Sequence, residues 1–424
     1  SKKVPLKSLQ RMMIVFLSLF FTYVFVDHTV GLFGAASLAK PEMMEKHLSI
    51  SAKKLVAKAF NGLPVAQIMD YHTHVLGLNK VNGAYVNEKM KSWLHPISHI
   101  KFLFYRQAAG ITDEHQADSQ YINQLISLIK PIKNHGRYGL MAFDRFYNED
   151  GSINENMTEF YVPNDYVVRL SKQYPEYFFP IISIHPYRKD AVKKLSYWAE
   201  QGVTLIKWLP NSMGIDPSKE IIRPFYQKMK QYGMVLITHT GEEQAVNAEG
   251  LQALGNPLLL RLPLEMGVKV VAAHSASLGK CQDLRLPNKP EISCFDLFLR
   301  MMHNERYKKY LLGEISATIL FNRDPLILQT LLNDAAIHGR LINGSDYPLP
   351  VINFVIHTRK LKNNGFITES EQKLLNEIYQ FNPLLFDFVL KRTLKSPVKK
   401  QSFSDDVFLN GNISSPRYLG SVNK

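Results

Sequence analysis

Between residues 65 and 346 the chain alternates apolar runs of strand length with polar, helix-patterned stretches. The runs are "VAQIMDYH" (65–72), "YGLMAF" (138–143), "YFFPIISI" (177–184), "VTLIKWL" (203–209), "MVLITH" (234–239), "VKVVAAH" (268–274), "YLLGEISA" (310–317) and "RLINGSD" (340–346). Their apolarity is continuous rather than alternating, the mark of strands covered on both faces. The stretches "DAVKKLSYWAEQG" (190–202) and "SKEIIRPFYQKMKQYG" (218–233) end on glycines placed to close helices. Strand and helix repeated eight times predict an α/β fold, a (β/α)8 TIM barrel. An open doubly wound sheet is the alternative, but no Gly-x-Gly-x-x-Gly loop follows an early strand. Residues 75–136 are irregular, rich in aromatics and histidine, and are expected to form a lid.

The N-terminal pattern differs. "MMIVFLSLFFTYVFV" (12–26) carries no charge and follows the basic "SKKVPLKSLQR". The run is short for a span, but extended through Ala39 it is long enough to cross a bilayer. It predicts an uncleaved membrane-anchor helix, with a signal peptide as the alternative. Positive charge ahead of it places the N-terminus in the cytoplasm and the rest of the chain outside, in the periplasm of a Gram-negative cell or secreted if the segment is cleaved. Residues 41–60 read as an amphipathic helix with Leu48, Leu55, Val56 and Phe60 near one face. The expected organisation is an anchor at 1–39, a linker helix at 40–63, the barrel at 64–390 and a solvated basic tail at 391–424.

Charge supports that division. The net +14 is concentrated in the ends: nine Lys and Arg face three Asp and Glu in residues 1–60, and seven face two in 391–424. The middle is close to neutral, which argues against a nucleic-acid-binding core. Basic ends suit an anionic membrane surface. Two cysteines, Cys281 and Cys294, exclude a disulfide framework or a cysteine-rich zinc module.

The chemistry lies at the C-terminal ends of the runs. His72 and His74 stand two apart, so a strand aims both imidazoles one way. Lys207, His239, His274 and Asp346 follow on later runs. In a parallel barrel these ends share one face. Three histidines and an aspartate converging there suit zinc or a similar divalent metal.

In order and spacing, "DYHTH", "LIKWLP", "THTG", "AAHSAS", "GEISA" and "NGSDYP" resemble the amidohydrolase superfamily of metal-dependent barrel hydrolases. The closest flavour is its amidohydrolase-2 branch, which also holds decarboxylases. The resemblance covers roughly residues 64–390. It implies metal ligation by His72, His74, His239 and Asp346, and a sixth-strand role for His274, as ligand of a second metal or as polariser of substrate. One ion is favoured, because that branch is mostly mononuclear. Lys207 stays open between a carbamylated bridge over two metals and a lysine paired with a carboxylate.

The chemistry of such a site agrees. A divalent ion makes hydroxide available near neutral pH. Asp346 is placed to move the proton, and His274 to stabilise an oxyanion. Hydrolysis of an amide, ester, lactone or related bond in a small molecule is the expected reaction. Metal-assisted decarboxylation is the first alternative, and a non-catalytic, membrane-anchored barrel that binds metal or a partner is the second. Candidate substrate contacts are Asp144, Arg145, His185, Arg188, Trp208, Asn211, Glu242 and Glu243. A Gly-x-Ser-x-Gly nucleophile motif is absent.

Overall fold

The computed structural model describes residues 39–78 and 82–409, and singly 13, 15, 18, 29, 34, 35 and 413. Eight parallel strands form its centre: β1 Met69–His74, β2 Arg137–Met141, β3 Phe178–Ile181, β4 Leu205–Trp208, β5 Val235–His239, β6 Lys269–Ala273, β7 Leu311–Glu314 and β8 Leu341–Ile342. β1–β2–β3 form one sheet and β4 to β8 another, each in chain order. Both seams are bonded. Ile182 pairs with Ile206 after β3, and Thr73 pairs with Tyr347 after β8. At the second seam Tyr71 N donates to Asn343 O at 3.0 Å and Asp346 N to His72 O at 2.8 Å. The strands therefore run round a closed ring.

Their continuous apolarity has a direct cause. Met69 and Tyr71, Phe179 and Ile181, Val235 and Ile237, Val271 and Ala273 fill the inside of the ring, joined by Leu205, Leu312 and Ile342. Residues of opposite parity, such as Leu140, Ile206, Leu236 and Val270, face outward into the larger core beneath the helices. Both faces of each strand are thus dry.

The helices used below are α1 Ile50–Phe60, α2 Pro96–Ala108, α3 Ala117–Ile129, α4 Ala191–Glu200, α5 Arg223–Tyr232, α6 Cys294–Met302, α7 Glu369–Phe381 and α8 Pro383–Thr393. α5 stops at Gly233, whose φ of +64° only glycine adopts cheaply. α2 and α3 lie in the 75–136 excursion.

Four expectations need correction or placement. The helix read over 41–60 breaks at Leu48, and α1 starts anew behind the Ser49 cap, whose hydroxyl accepts from Ala52 N. Its cap also bonds Glu377 of α7, so it is docked on the body. The tail does not begin at 391. Lys391 is wholly buried in α8, donating to Gly344 O at 2.6 Å and Asp387 Oδ2 at 2.7 Å. Phe403, Val407 and Phe408 are buried beyond it, and Ile413 joins the cluster inside the ring. The cysteines are joined as Cys281–Cys294, closing the ribbon of residues 280–282 and 291–293 after β6. The expected anchor, 12–39, lies largely outside the described residues; among those described, no helix is long and apolar enough to cross a membrane.

Candidate metal centre

Inward-facing strand positions turn from apolar to polar at the C-terminal end of the ring. Lys207 follows Leu205 by two, His239 follows Ile237 and Glu314 follows Leu312. Asp346 follows Ile342 by four along the same alternation. β1 is the exception, because Tyr71 faces inward and His72 would face out. A register shift between Asp70 and Thr73 turns the strand there. Asp346 and His274 both have φ of +59°, in the left-handed region that costs a non-glycine residue about 1–2 kcal/mol.

The donor atoms converge. His72 Nε2 and His74 Nε2 are 3.2 Å apart. Asp346 Oδ1 is 3.4 Å from the first and 3.1 Å from the second. Donors sharing one ion through bonds of about 2.0–2.1 Å stand roughly 3.0–3.4 Å from each other. The triangle therefore fits a shared divalent ion. His72, His274 and Asp346 also offer atoms within 4.8 Å of one another, so His274 borders the same space.

Carboxylates behind the ring set the tautomers. His72 Nδ1 lies 3.1 Å from Glu314 Oε2, and His239 Nδ1 lies 3.3 Å from Glu243 Oε2. An Nδ1–H donated to a carboxylate leaves the Nε2 lone pair free for ligation. His239 Nε2 is buried and has no hydrogen-bond partner, an acceptor awaiting a ligand. Glu314 also accepts from His274 N at 3.1 Å and Ser316 N at 3.0 Å. His274 Nδ1 lies 2.7 Å from Ser316 Oγ. Lys207 Nζ lies 3.3 Å from His72 Nε2.

The charge states suit ligation. Burial lowers the pKa of His239 to about 4 and that of His274 well below its ordinary value, so both are neutral at pH 7. Burial, joined by the charge of Lys207, lowers His72 too. Burial brings Lys207 down to about 8, against the pull of Glu314, Asp346 and Glu243. For Asp346 burial alone would raise the pKa, but the surrounding imidazoles hold it well below 3.8. Glu314 behaves likewise beside His72.

Two openings lead to this centre. One is a cavity walled by carbon: Val86, Met90, Phe102, Phe160 and Val246 among others. The second sets Lys101, Glu242, Gln244, Asn322 and Arg323 among apolar side chains such as Phe104, Phe321, Ile352 and Phe354. Arg323 is 9% exposed and, among the described residues, has no carboxylate within ion-pair distance. Its Nε donates to Ser277 Oγ at 3.1 Å and its Nη1 to Asn322 Oδ1 at 2.6 Å.

The sequence-derived substrate contacts mostly lie elsewhere. His185 is spent on Met213 O and Tyr187 N, and Arg188 on Asp144, Asp190 and Tyr147. Arg145 pairs with Glu155. Trp208 faces outward, donating to Ile184 O between Phe225 and Tyr226. Asn211 bonds Gly241 O and the Gln252 side chain. Glu242 lines the second opening, and Glu243 pairs with His239. Glu314, Ser316 and Arg323 were not among the candidates. For Glu314 the signal was present: it continues the inward stripe of β7 inside "GEISA".

No family model and no curated protein matches the chain. Solved structures resemble it at low identity. A TIM-barrel protein from Bordetella bronchiseptica is 16% identical, covers 66% of this chain and 86% of its own, and gives a TM-score of 0.45. A 2-pyrone-4,6-dicarboxylic acid hydrolase from Pseudomonas putida is 14% identical over 68% of this chain and 84% of its own, with a TM-score of 0.40. A 5-carboxyvanillate decarboxylase from Sphingomonas paucimobilis is 11% identical over 82% of this chain and 97% of its own, with a TM-score of 0.42.

Proposed function

We propose that the chain is a metal-dependent hydrolase of the amidohydrolase superfamily, a (β/α)8 barrel acting on a small molecule and held at a membrane by its N-terminal segment. The observation that carries the reading is the triangle of His72 Nε2, His74 Nε2 and Asp346 Oδ1 beside the unpartnered His239 Nε2. These four residues would hold one ion, and the nitrogen and oxygen donors suit zinc. A bound divalent ion supplies Lewis acidity and brings a water's pKa to about 7.

The side chains do the rest. Asp346 turns Oδ1 to the histidine pair and leaves Oδ2, 3.9 Å from His274 Nδ1, to take the proton of the attacking water and return it to the leaving group. His274, with Nδ1 accepting from the Ser316 hydroxyl, donates from Nε2 to the substrate oxygen that gains charge. Lys207 beside His72 either holds that ring in place or, carbamylated, bridges to a second ion. Arg323 is a buried cation with no carboxylate at ion-pair distance among the described residues, Asp346, Glu243 and Glu242 acting on it only from farther off, and burying it is costly unless an anion arrives. It would take a carboxylate of the substrate bidentately, the role that Arg145 and Arg188 cannot fill.

The test is elemental analysis of protein purified without chelator, followed by a panel of amides, esters, lactones and aromatic carboxylic acids. One metal per chain and chelator-sensitive hydrolysis support the reading. Loss of carbon dioxide without hydrolysis would replace it with the decarboxylase. Stoichiometric metal with no turnover would favour the non-catalytic barrel.

A further inference from the structure

Three residues of the apolar run at 12–26 are described, and all three are exposed. Met13 and Val15 are 59% and 58% exposed, and Ser18 within the same run is exposed as well. Downstream, the chain lies against the rim of the metal pocket. Ala35 is buried and bridges Ile352, and Asn353 N donates to Gly34 O at 3.2 Å. Phe104 of α2 sits so close to Gly34 that a Cβ there would collide with its ring, and it stacks edge-on with Phe354. Ile352, Phe354 and Phe104 all line the second opening. Gly34 and Ala35 thus hold the chain at the mouth of the site eight residues after the apolar run of the sequence ends at Val26.

Apolar side chains stand bare at the mouth and beside it. Phe321 and Phe354 line the opening and are each near 40% exposed, Ile97 of α2 is 73% exposed, and Leu94, just ahead of α2, is 88% exposed. Ile97, Lys101 and Phe104 stand at i, i+4 and i+7, one line along α2. Lys89 and Lys91 precede the helix. Met90 walls the apolar cavity and also lines the surface depression beside Ile97 and Lys101. Apolar side chains interleaved with lysine suit the headgroup boundary of an anionic bilayer. None of the four fills the core.

We propose that the mouth of the metal pocket is turned onto a lipid bilayer. The run at 12–26 enters the lipid, and Leu94, Ile97, Phe321 and Phe354 seat at the interface. The carbon-walled cavity beneath α2 receives the apolar part of an amphiphilic substrate drawn from the membrane. The orientation rests on the membrane reading of the N-terminus and not on the hydrolase reading.

Depth-dependent quenching tests it. The native cysteines are paired, so single cysteines placed by Ile97→Cys, Phe354→Cys, Val65→Cys and Tyr197→Cys each carry one fluorophore on the full chain. Val65 precedes β1 at the opposite end of the ring, and Tyr197 lies on the flank in α4. The protein is added to mixed phosphatidylethanolamine–phosphatidylglycerol vesicles bearing a nitroxide near the headgroup. The expected result is a blue shift and loss of most emission at positions 97 and 354, with positions 65 and 197 unchanged. Equal quenching at all four, quenching confined to 65 or 197, or no response at any position would overturn the proposal. So would a blue shift at 97 without lipid, because a second copy or another protein would then cover the mouth. The readout needs no turnover, so its failure is distinct from failure of the hydrolase reading.

Discussion

At the scale of single residues, Asp346 and Glu314 separate chemistry from scaffolding. Asp346→Asn keeps the shape of the side chain but cannot accept a proton. Turnover on a confirmed substrate is expected to fall by about 10²–10⁴-fold, while the circular-dichroism spectrum and soluble yield stay near those of the parent. Near-normal turnover in that variant would remove Asp346 from the mechanism. Glu314 touches no substrate in the proposed scheme; it holds the Nδ1 proton of His72 and two backbone amides. Glu314→Gln is therefore expected to weaken metal affinity by about 10–100-fold, read by competition with a chromogenic chelator. An unchanged affinity would mean that His72 is oriented by packing alone. The ligand histidines were legible because each closes an apolar run. Arg323 was not, because it lies in the loop after β7, and only the folded chain shows that among the described residues no carboxylate comes within ion-pair distance of it.

At the scale of elements, the strands were legible because both faces of each are buried, which writes continuous apolarity into the sequence. The register shift in β1 was not, since it arises from how Asp70 and Thr73 meet β2. The C-terminal segment misled for a different reason. Phe403, Val407, Phe408 and Ile413 are sparse among lysines and serines, so charge dominates the pattern although these four side chains are buried. The disulfide follows the same logic: two cysteines thirteen residues apart become a staple only once the ribbon at 280–293 brings their Cα atoms to 4.9 Å. That staple closes the loop from β6 to α6, whose first residues, His274 to Ser277, meet the metal centre and Arg323. Replacing both cysteines by alanine is expected to destabilise the chain by about 3 kcal/mol, seen as a lower midpoint in urea. The unmodified chain should show no thiol reactive to maleimide after denaturation without reductant. Free thiols there would remove the disulfide.

At the scale of the whole molecule, stability and metal are coupled through the ring. The proposed ligands come from β1, β5 and the loop after β8, so an ion ties together strands far apart in sequence. Nothing comparable exists in the unfolded chain, and an ion bound only by the folded state stabilises it by mass action, about 2.7 kcal/mol at a hundred times the dissociation constant. For a chain of this length each kcal/mol moves Tm by roughly 2 °C or less, so stripping the metal should lower Tm by about 5 °C and restoring zinc should reverse it. The shift should vanish in His239→Ala, which lacks one ligand but leaves the apolar layers of the ring untouched. A chelator that abolishes activity without moving Tm would show an ion held too loosely to tie the strands. A chelator that unfolds the protein would show that the ring cannot stand without the ion, and would move the centre from catalysis to architecture.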